Sequence, residues 1–253
     1  MPLEKHVNLI ILAAGIGRRL YPLTKDTPKS LLDLGDGSTL LDKQLEIAAL
    51  HDEIDKVYVI SGYRTEQIEA RLEEHKHKLD VDVIFNPFFD VSNNLLSLWC
   101  AHHILLEKDF LVSNGDNIYK SHVYGKIIEG NKDGIHLVID YKDDYDEDDM
   151  KVLLKDGSVN LVSKKIDAKE AQAESVGFIR VTGESSRKTF HTMLLNMVKD
   201  LDRRDDFWLE IFNSLIKDGV TVSPIEIGEH DWGEMDYHPD INAMRQAITD
   251  NIF

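Results

Sequence analysis

The feature that most constrains this chain is a basic, glycine-containing segment, residues 12–32, that directly follows the apolar run Val7–Leu12. The run is typical of a buried strand, and the next helical pattern begins only near Ser38. A turn that contains Gly15 and Gly17 can leave the strand with its backbone N–H groups facing phosphate oxygens, and two arginines and two lysines follow it. The segment therefore predicts a polyphosphate ligand at the carboxyl end of the first strand.

Two well-known phosphate loops are excluded at single positions of this segment. The dinucleotide fingerprint needs a third glycine three residues after Gly17, where this chain has Leu20. The P-loop needs Gly-Lys followed by Ser or Thr, and the segment has no such triplet. A dehydrogenase built on the dinucleotide fingerprint is therefore excluded.

Short apolar runs alternate with helical patterns in the first half of the chain, which predicts parallel βαβ units. The expected fold class is α/β, with a doubly wound, mostly parallel, Rossmann-like sheet that binds ligands beyond the carboxyl ends of its strands. The predicted strands are Val7–Leu12, Val57–Ile60, Val81–Phe85, Phe110–Ser113 and Ile135–Asp140, and the predicted helices are Leu40–Leu50, Thr65–His75, Asn94–Leu106 and His122–Gly130.

The second half has strands that are closer together, and Asp156-Gly157 between apolar runs is typical of a hairpin turn. An antiparallel β extension over the active site is expected, followed by two helices, a strand and a last helix. The predicted strands are Lys151–Leu154, Val159–Ser163, Val176–Val181 and Val220–Ile227, and the helices are Ser185–Asp200, Phe207–Lys217 and a segment after Pro239. The acidic run Asp143–Asp149 predicts a solvated loop, and residues 1–253 are expected to form a single domain.

The charge of the chain restricts its partners. Forty-six acidic residues against 29 basic ones give a formal net charge of −17, which repels nucleic acid and anionic membranes. Val7–Leu12 is too short to cross a membrane, and Cys100 is the single cysteine, so the chain cannot form an internal disulfide. These features predict a cytoplasmic protein with no nucleic acid partner and no membrane insertion.

The segment that begins at Leu12 reads L-A-A-G-x-G-x-R-L-x-P-L-T-x-x-x-P-K-x-L. This string resembles the nucleotidyltransferases that join an NTP to a sugar phosphate or an amino-alcohol phosphate, and the resemblance covers nearly the whole chain. It implies a nucleotide-binding half at about residues 1–140 and an acceptor-binding half at about 141–253. The resemblance assigns nucleotide contacts to Leu12, Ala13, Ala14, Gly15 and Gly17, and catalytic roles to Arg19 and Lys29.

Ser61–Arg64 follows the second predicted strand, where this family usually holds the nucleobase. Gly62 would let the backbone approach a ligand, and Tyr63 could lie against the base. A turn at a helix N-terminus with an exposed aromatic ring is the alternative interpretation.

A string that begins at Asn86-Pro87 reads N-P-x-x-x-x-S-N-N-L-x-S-L-W and is similar to the branch that acts on phosphocholine and related phosphonates. The similarity implies that Asn94 contacts the nucleotide and makes Ser97 a further candidate. Tandem asparagines are also good helix N-caps, so a purely structural role is the alternative.

Three carboxylates are candidates for a metal site. Asp116 follows an apolar strand, and hard oxygen ligands suit the Mg²⁺ that a triphosphate site needs. Glu234 and Asp236 are two residues apart, so both would face one way in an extended segment. The resemblance assigns the metal to Asp116 and Asp236, although a helix cap and solubilising charges are the structural alternatives.

The resemblance also implies acceptor contacts in the second half, from Lys164 or its neighbour Lys165, and from Glu174, Trp232, Glu234 and Tyr237. Tyr237 stands where the chain departs from the family pattern, since Tyr-His-Pro-Asp-Ile replaces Thr-Pro-Glu-Asp-Leu. An aromatic cage for a quaternary ammonium could come from Trp99, Trp232, Tyr237, Phe88 and Phe89. A primary-amine acceptor would instead favour carboxylates such as Glu174 or Glu234.

The expected function is therefore CTP-dependent cytidylyl transfer, with Mg²⁺, to a small phosphate or phosphonate acceptor such as phosphocholine or 2-aminoethylphosphonate. A sugar-1-phosphate nucleotidyltransferase that uses UTP, dTTP or GTP is the first alternative. A catalytically silent nucleotide sensor on the same fold is the second. Assembly as a homodimer is left open.

Overall fold

The structure is a computed structural model that describes residues 6–130, 132–250 and 252–253. The strands in these ranges are β1 (Val7–Leu12), β2 (Ile54–Ser61), β3 (Val81–Phe85), β4 (Asp109–Asn114), β5 (Asn117–Tyr119), β6 (Gly134–Asp140), β7 (Lys151–Lys155), β8 (Ser158–Ser163), β9 (Ala173–Thr182), β10 (Val222–Glu226) and β11 (Trp232–Glu234). The helices are α1 (Leu40–Ala48), α2 (Thr65–Leu72), α3 (Asn94–Cys100), α4 (Ser121–Ile128), α5 (Glu184–Lys199), α6 (Glu210–Lys217) and α7 (His238–Thr249).

The main sheet has the strand order β10-β6-β9-β4-β1-β2-β3. Strand β1 runs parallel to both β2 and β4, and β2 runs parallel to β3. All six residues of β1 are buried, as expected for a parallel strand that is covered on both faces. The predicted α/β class with a mostly parallel sheet is confirmed.

Strand β9 lies inside this sheet, antiparallel to β4 and to β6, and all ten of its residues are buried. We expected it in the extension, and we expected β6 to continue the parallel series. Instead β6 is parallel only to β10, because β9 separates it from β4. Hydrophobic patterning shows that a strand is buried but does not identify its neighbours.

The predicted hairpin is formed by β7 and β8, which pair antiparallel. Asp156 and Gly157 both have positive φ, 52° and 76°, as the tight turn requires. The hairpin joins the main sheet through β7 and β9.

A short antiparallel pair, β5 and β11, was not predicted, because each strand has only three residues. Glu234 pairs with Asn117, and the main-chain N–H of Met235 donates to the carbonyl of Asp116 at 2.9 Å. This pair brings the segment after β4 to the segment before α7.

Helices cover both faces of the sheet. Buried residues of α1, α2, α4 and α7 pack on one face, and those of α3, α5 and α6 pack on the other. Helix α3 ends at Cys100 and a separate 3₁₀ turn covers Ile104–Leu106, whereas we expected one helix. Within the described residues, the helices lack the combination of length and apolarity that a membrane span needs.

Candidate active site

Two cavities, each with an open volume of about 820 Å³ including its mouth, meet beyond the carboxyl ends of β1 and β4. The glycine-loop cavity is lined by Leu12, Ala13, Ala14, Gly15, Gly17, Lys29, Ser30, Phe89, Ser92, Asn93, Asn94, Ser97, Asn114, Gly115 and Asp116. The aromatic cavity is lined by Arg19, Asn94, Asn114, Asp116, Asn117, Asp148, Asp149, Met150, Lys164, Glu174, Ser175, Gly177, Phe207, Trp208, Leu209, Trp232, Glu234 and Asp236.

The glycine loop is closed by bonds to Gly17, which has a left-handed φ of +68°. Its carbonyl accepts from the hydroxyl of Thr24 at 2.7 Å and from the N–H of Leu20 at 3.0 Å. A Cβ added at Gly17 would lie 3.0 Å from Cβ of Lys29, so the turn packs directly against the lysine. All five loop residues assigned to the nucleotide line this cavity.

Lys29 bridges the two carboxylates that were assigned to the metal. Its Nζ lies 2.8 Å from Oδ2 of Asp116 and 2.9 Å from Oδ1 of Asp236, and its side chain is only 13% exposed. Burial disfavours the charged ammonium, but the attraction of Asp116 and Asp236 outweighs it and raises the pKa of Lys29. Lys29 is therefore a cation throughout the physiological pH range.

Arg19 donates a hydrogen bond to the other oxygen of Asp236. Burial alone would raise the pKa of Asp236, but Lys29 and Arg19 together lower it below its ordinary value. Asp236 is thus an anion held between two cations.

The carboxylates fit a Mg²⁺ ion that arrives with a nucleotide. Asp116 and Asp236 converge on one point, now held by the Lys29 ammonium. Over residues 6–130, 132–250 and 252–253, no cluster of three or more His, Cys, Asp or Glu side chains is placed to hold a metal by itself. Mg²⁺ is commonly bound by one or two carboxylates together with substrate phosphates and water, and these two residues meet that requirement.

Glu234 lines the aromatic cavity with Asp236, and its side chain remains accessible from the cavity. Loss of bulk solvent around the carboxyl group, followed by repulsion from Asp116, raises the pKa of Glu234. The nearby Lys29 ammonium opposes this shift without cancelling it.

Gly62 and Tyr63 lie behind the glycine loop and line neither cavity. A Cβ on Gly62 would come within 2.5 Å of Cβ of Phe89 and 2.8 Å of the Ala14 carbonyl, so the close approach expected for a ligand is made to the protein itself. Tyr63 donates its N–H to the Ala14 carbonyl at 3.1 Å and its hydroxyl to the Lys25 carbonyl. Both residues brace the loop from outside.

The tandem asparagines have different roles. Asn93 is the N-cap of α3, and its side chain accepts from the N–H of Asn94 at 2.8 Å. Asn94 lines both cavities. Ser97 lines the glycine-loop cavity and accepts from Nδ2 of Asn86 at 3.0 Å.

Most residues assigned to the acceptor line the aromatic cavity, namely Lys164, Glu174, Trp232 and Glu234. Lys165 does not; it lies in the turn that follows β8, and it is exposed. Tyr237 lies at the rim, where the Arg19 guanidinium is 5.2 Å from its ring centroid and its hydroxyl donates to Asp148.

Glu174 is buried at the base of the aromatic cavity, and Nζ of Lys142 lies 2.7 Å from its Oε1. Burial raises the pKa of Glu174 to about 7, although Lys142 opposes the shift. Its charge therefore changes near neutral pH.

Several lining residues were missed or misplaced by the sequence analysis. Phe207 and Trp208 were predicted inside a helix, but α6 begins only at Glu210, and the preceding loop turns both rings towards the cavity. Asp148 belongs to the run predicted as a solvated loop, yet its Oδ1 lies 3.6 Å from both Arg19 and Lys164. The acidic run alone carried no signal for this contact.

The suggested aromatic cage is only partly assembled. Trp232 lines the aromatic cavity and Phe89 lines the glycine-loop cavity. Trp99 stacks on His102, and Phe88 is exposed, so neither lines either cavity. The rings that line the aromatic cavity together with Lys164 and Glu174 are those of Phe207, Trp208 and Trp232.

Comparisons with known proteins identify the family of this chain. Residues 8–146, more than half of the chain, match the nucleotidyl transferase family. The chain is 26% identical to the CTP:phosphoglutamine cytidylyltransferase of Campylobacter jejuni, over 94% of this chain and 98% of that protein. It is 30% identical to the choline-phosphate cytidylyltransferase of Streptococcus pneumoniae, over 78% of this chain and 86% of that protein.

A solved structure of CTP:phosphocholine cytidylyltransferase from Streptococcus pneumoniae has the same fold, with a TM-score of 0.77 and 22% identity over 96% of this chain and 99% of the other. The glycine loop, β2 to β6 and Asp116 all fall within the matched residues 8–146, as does β1 apart from Val7. The chain therefore belongs to the nucleotidyl transferase family and is a nucleotidyltransferase.

Proposed function

We propose that the enzyme transfers CMP from CTP to a small phosphate or phosphonate acceptor that carries an amino or quaternary ammonium group, with release of pyrophosphate. The observation that carries this proposal is the meeting of the two cavities at Asp116, beside Lys29 and Arg19. One cavity is walled by backbone suited to a triphosphate, and the other combines cations, carboxylates and aromatic rings. The choice of CTP is supported by the relatives, which are named as cytidylyltransferases.

The acceptor class is supported by the lining of the aromatic cavity. Asp148 lies between Arg19 and Lys164, so these two cations can share one anion, as they would share the acceptor's phosphate. The rings of Phe207 and Trp232 and the Glu174 carboxylate lie in the same cavity and suit a cationic group. The Lys164 ammonium already lies 5.4 Å from the Phe207 ring centroid.

The reaction needs no general base, because the attacking oxygen of the acceptor is already an anion. The enzyme's part is to hold both substrates in line and to neutralise charge. Lys29 and Arg19 would hold the triphosphate and the negative charge that collects on pyrophosphate, and Lys164 would hold the acceptor. A Mg²⁺ ion bound by Asp116 and Asp236 would supply Lewis-acid neutralisation of the phosphate oxygens.

Pyrophosphate release tests this proposal directly. CTP, UTP, dTTP, GTP and ATP are each paired with phosphocholine, phosphoethanolamine, 2-aminoethylphosphonate and glucose 1-phosphate in the presence of Mg²⁺. The expected result is highest kcat/KM for CTP with an amino-bearing acceptor. Faster turnover of UTP or dTTP with glucose 1-phosphate would instead identify a sugar nucleotidyltransferase, and Mg²⁺-independent nucleotide binding without product would identify a sensor.

A further inference from the structure

Two asparagines, Asn94 and Asn114, line both cavities together with Asp116. In the proposed reaction the nucleotide occupies one cavity and the acceptor the other. A residue that lines both therefore lies where the attacking oxygen meets the phosphorus. Asp116 is the proposed metal ligand, which leaves the two neutral side chains unexplained.

Trp208 holds the side-chain oxygens of both asparagines. Its indole N–H donates to Oδ1 of Asn114 at 2.9 Å, and its main-chain N–H donates to Oδ1 of Asn94 at 2.8 Å. Both groups are donors only, so each carboxamide must turn its oxygen to Trp208 and its amino group away. Trp208 itself is 1% exposed, so this anchor is packed into the core.

The amino group of Asn114 is left available for a ligand. In the part of the chain that the structure describes, its Nδ2 donates to no protein acceptor. A Cβ added at Gly177 would lie 2.3 Å from this Nδ2, and the φ of Gly177 is +66°. Gly177 lies in β9 where its pairing with β6 is irregular, between Ser175 and Ile179. Glycine at this position therefore makes the room that the amide occupies at the wall of the aromatic cavity.

We propose that Asn114 is a further catalytic residue, which donates a hydrogen bond from its carboxamide to a non-bridging oxygen of the phosphorus under attack, and that Trp208 is its positioning residue. This inference rests on the proposed function. The acceptor oxygen forms a bond to the α-phosphorus while the bond from that phosphorus to the oxygen of the leaving pyrophosphate breaks. The electron pair of the broken bond leaves with pyrophosphate, and no proton is transferred.

A neutral amide donor suits this position. Negative charge shifts among the oxygens of the α-phosphorus during the transfer, and a donor whose orientation is already fixed stabilises it without reorganising. The ammonium of Lys29 and the guanidinium of Arg19 already serve the anionic phosphates. Asn114 orients the α-phosphate through a directional hydrogen bond, and it adds no further charge that would hold the product in the cavity.

The first test replaces Asn114 alone. Asn114→Asp retains an oxygen that accepts from Trp208 but has no donor, and Asn114→Ala removes both without adding charge. Each should lower kcat about 10²-fold, the usual effect of losing one such donor. For Asn114→Ala the Kd for CTP, measured by isothermal titration, should change by less than about threefold, because the bond strengthens only in the transition state. The added carboxylate of Asn114→Asp should also weaken CTP binding, because it repels the triphosphate. Asn160→Asp, on the exposed side of β8, is the matched control and should keep wild-type kcat.

The second test separates catalysis from packing. Trp208→Phe removes the indole N–H and keeps the main-chain N–H that holds Asn94. It should lower kcat about tenfold, and the double variant Asn114→Ala/Trp208→Phe should be no slower than Asn114→Ala, because both changes break one interaction. Circular dichroism and thermal denaturation check that each variant is folded.

A fall in kcat smaller than about tenfold in Asn114→Ala, or single effects that multiply in the double variant, would overturn the inference. In either case an active wild-type enzyme leaves the proposed function intact. A wild-type enzyme that releases no pyrophosphate with any substrate pair would overturn the proposed function and this inference together. The two failures are therefore distinguishable.

Discussion

Replacing Lys29 by Met tests the centre of the site. The Lys29 ammonium lies 2.8 and 2.9 Å from two carboxylates and lines the glycine-loop cavity, so it is in place to meet a triphosphate. At an effective dielectric constant near 20, a unit charge pair about 4 Å apart interacts by about 4 kcal/mol. Loss of one preorganised charge stabiliser typically costs about 2.7–4 kcal/mol, so kcat/KM should fall about 10²–10³-fold.

The same substitution should leave the fold intact. Asp116 and Asp236 would lose their shared cation, but their side chains are 29% and 24% exposed and stay hydrated. The free energy of unfolding should therefore fall by only about 1 kcal/mol, rather than the about 3–5 kcal/mol that a fully buried pair would cost. Mg²⁺ should also raise the melting temperature of Lys29→Met more than that of the wild type, since a cation can then occupy the vacated point.

Steady-state pyrophosphate release, with thermal denaturation in the presence and absence of Mg²⁺, measures all three expectations. The control is Lys25→Met, the same change at an exposed position of the same loop. Turnover of Lys29→Met within about threefold of the wild type would refute the assignment of Lys29 to the triphosphate. A melting temperature that responds to Mg²⁺ as the wild type does would argue against a metal between the two carboxylates.

Three further predictions address the aromatic cavity and the main sheet. Asp148→Asn should lower the KM for the acceptor about two- to fivefold, because a half-exposed carboxylate no longer competes with the phosphate for its cations. The pKa of Glu174 is raised from its ordinary value to about 7, so the wild type should bind a cationic acceptor better as the pH rises through about 7, and Glu174→Gln should lose this dependence. Arg180→Met should lower the free energy of unfolding by about 3 kcal/mol, since three carbonyls lose their buried donor.

Each of these predictions has its own measurement and refutation. Acceptor KM that rises in Asp148→Asn would show that Asp148 binds the acceptor's cationic group instead of competing with its phosphate, with Asp144→Asn as the exposed control. The acceptor's own ionisation affects the wild type and every variant alike. Equal pH profiles of acceptor binding for Glu174→Gln and the wild type would therefore exclude Glu174 as the source of the pH dependence. Glu170→Gln, at an exposed position, is the control. Urea denaturation of Arg180→Met with an unchanged free energy of unfolding would contradict the buried donor role.

The residue types within short segments were sufficient to predict much of the fold. The bounds of β1 and β3 were predicted to the residue, because an apolar run between turn signals determines a strand with little help from its surroundings. The hairpin at Asp156-Gly157 followed from two residues that tolerate positive φ. The glycine loop was likewise visible, since its glycines and cations are adjacent in the chain.

Some details depended on tertiary contacts, which periodicity alone does not set. Lys164 and Lys165 could not be separated by sequence. Both lie in the turn that follows β8, where Lys164 lines the aromatic cavity and Lys165 is exposed. The position of β9 inside the sheet likewise depends on its partners.

The sequence alone determined that a strand, a glycine loop, two cations and several strand-end carboxylates exist, because each is a property of a short segment. Only the tertiary structure decided that Lys29 meets Asp116 and Asp236, which lie 87 and 207 residues away. It also placed Phe207 and Trp208 in the aromatic cavity and turned Gly62 and Tyr63 away from the glycine-loop cavity. Such contacts arise when separate segments pack on one sheet, and no local pattern encodes the distance between them.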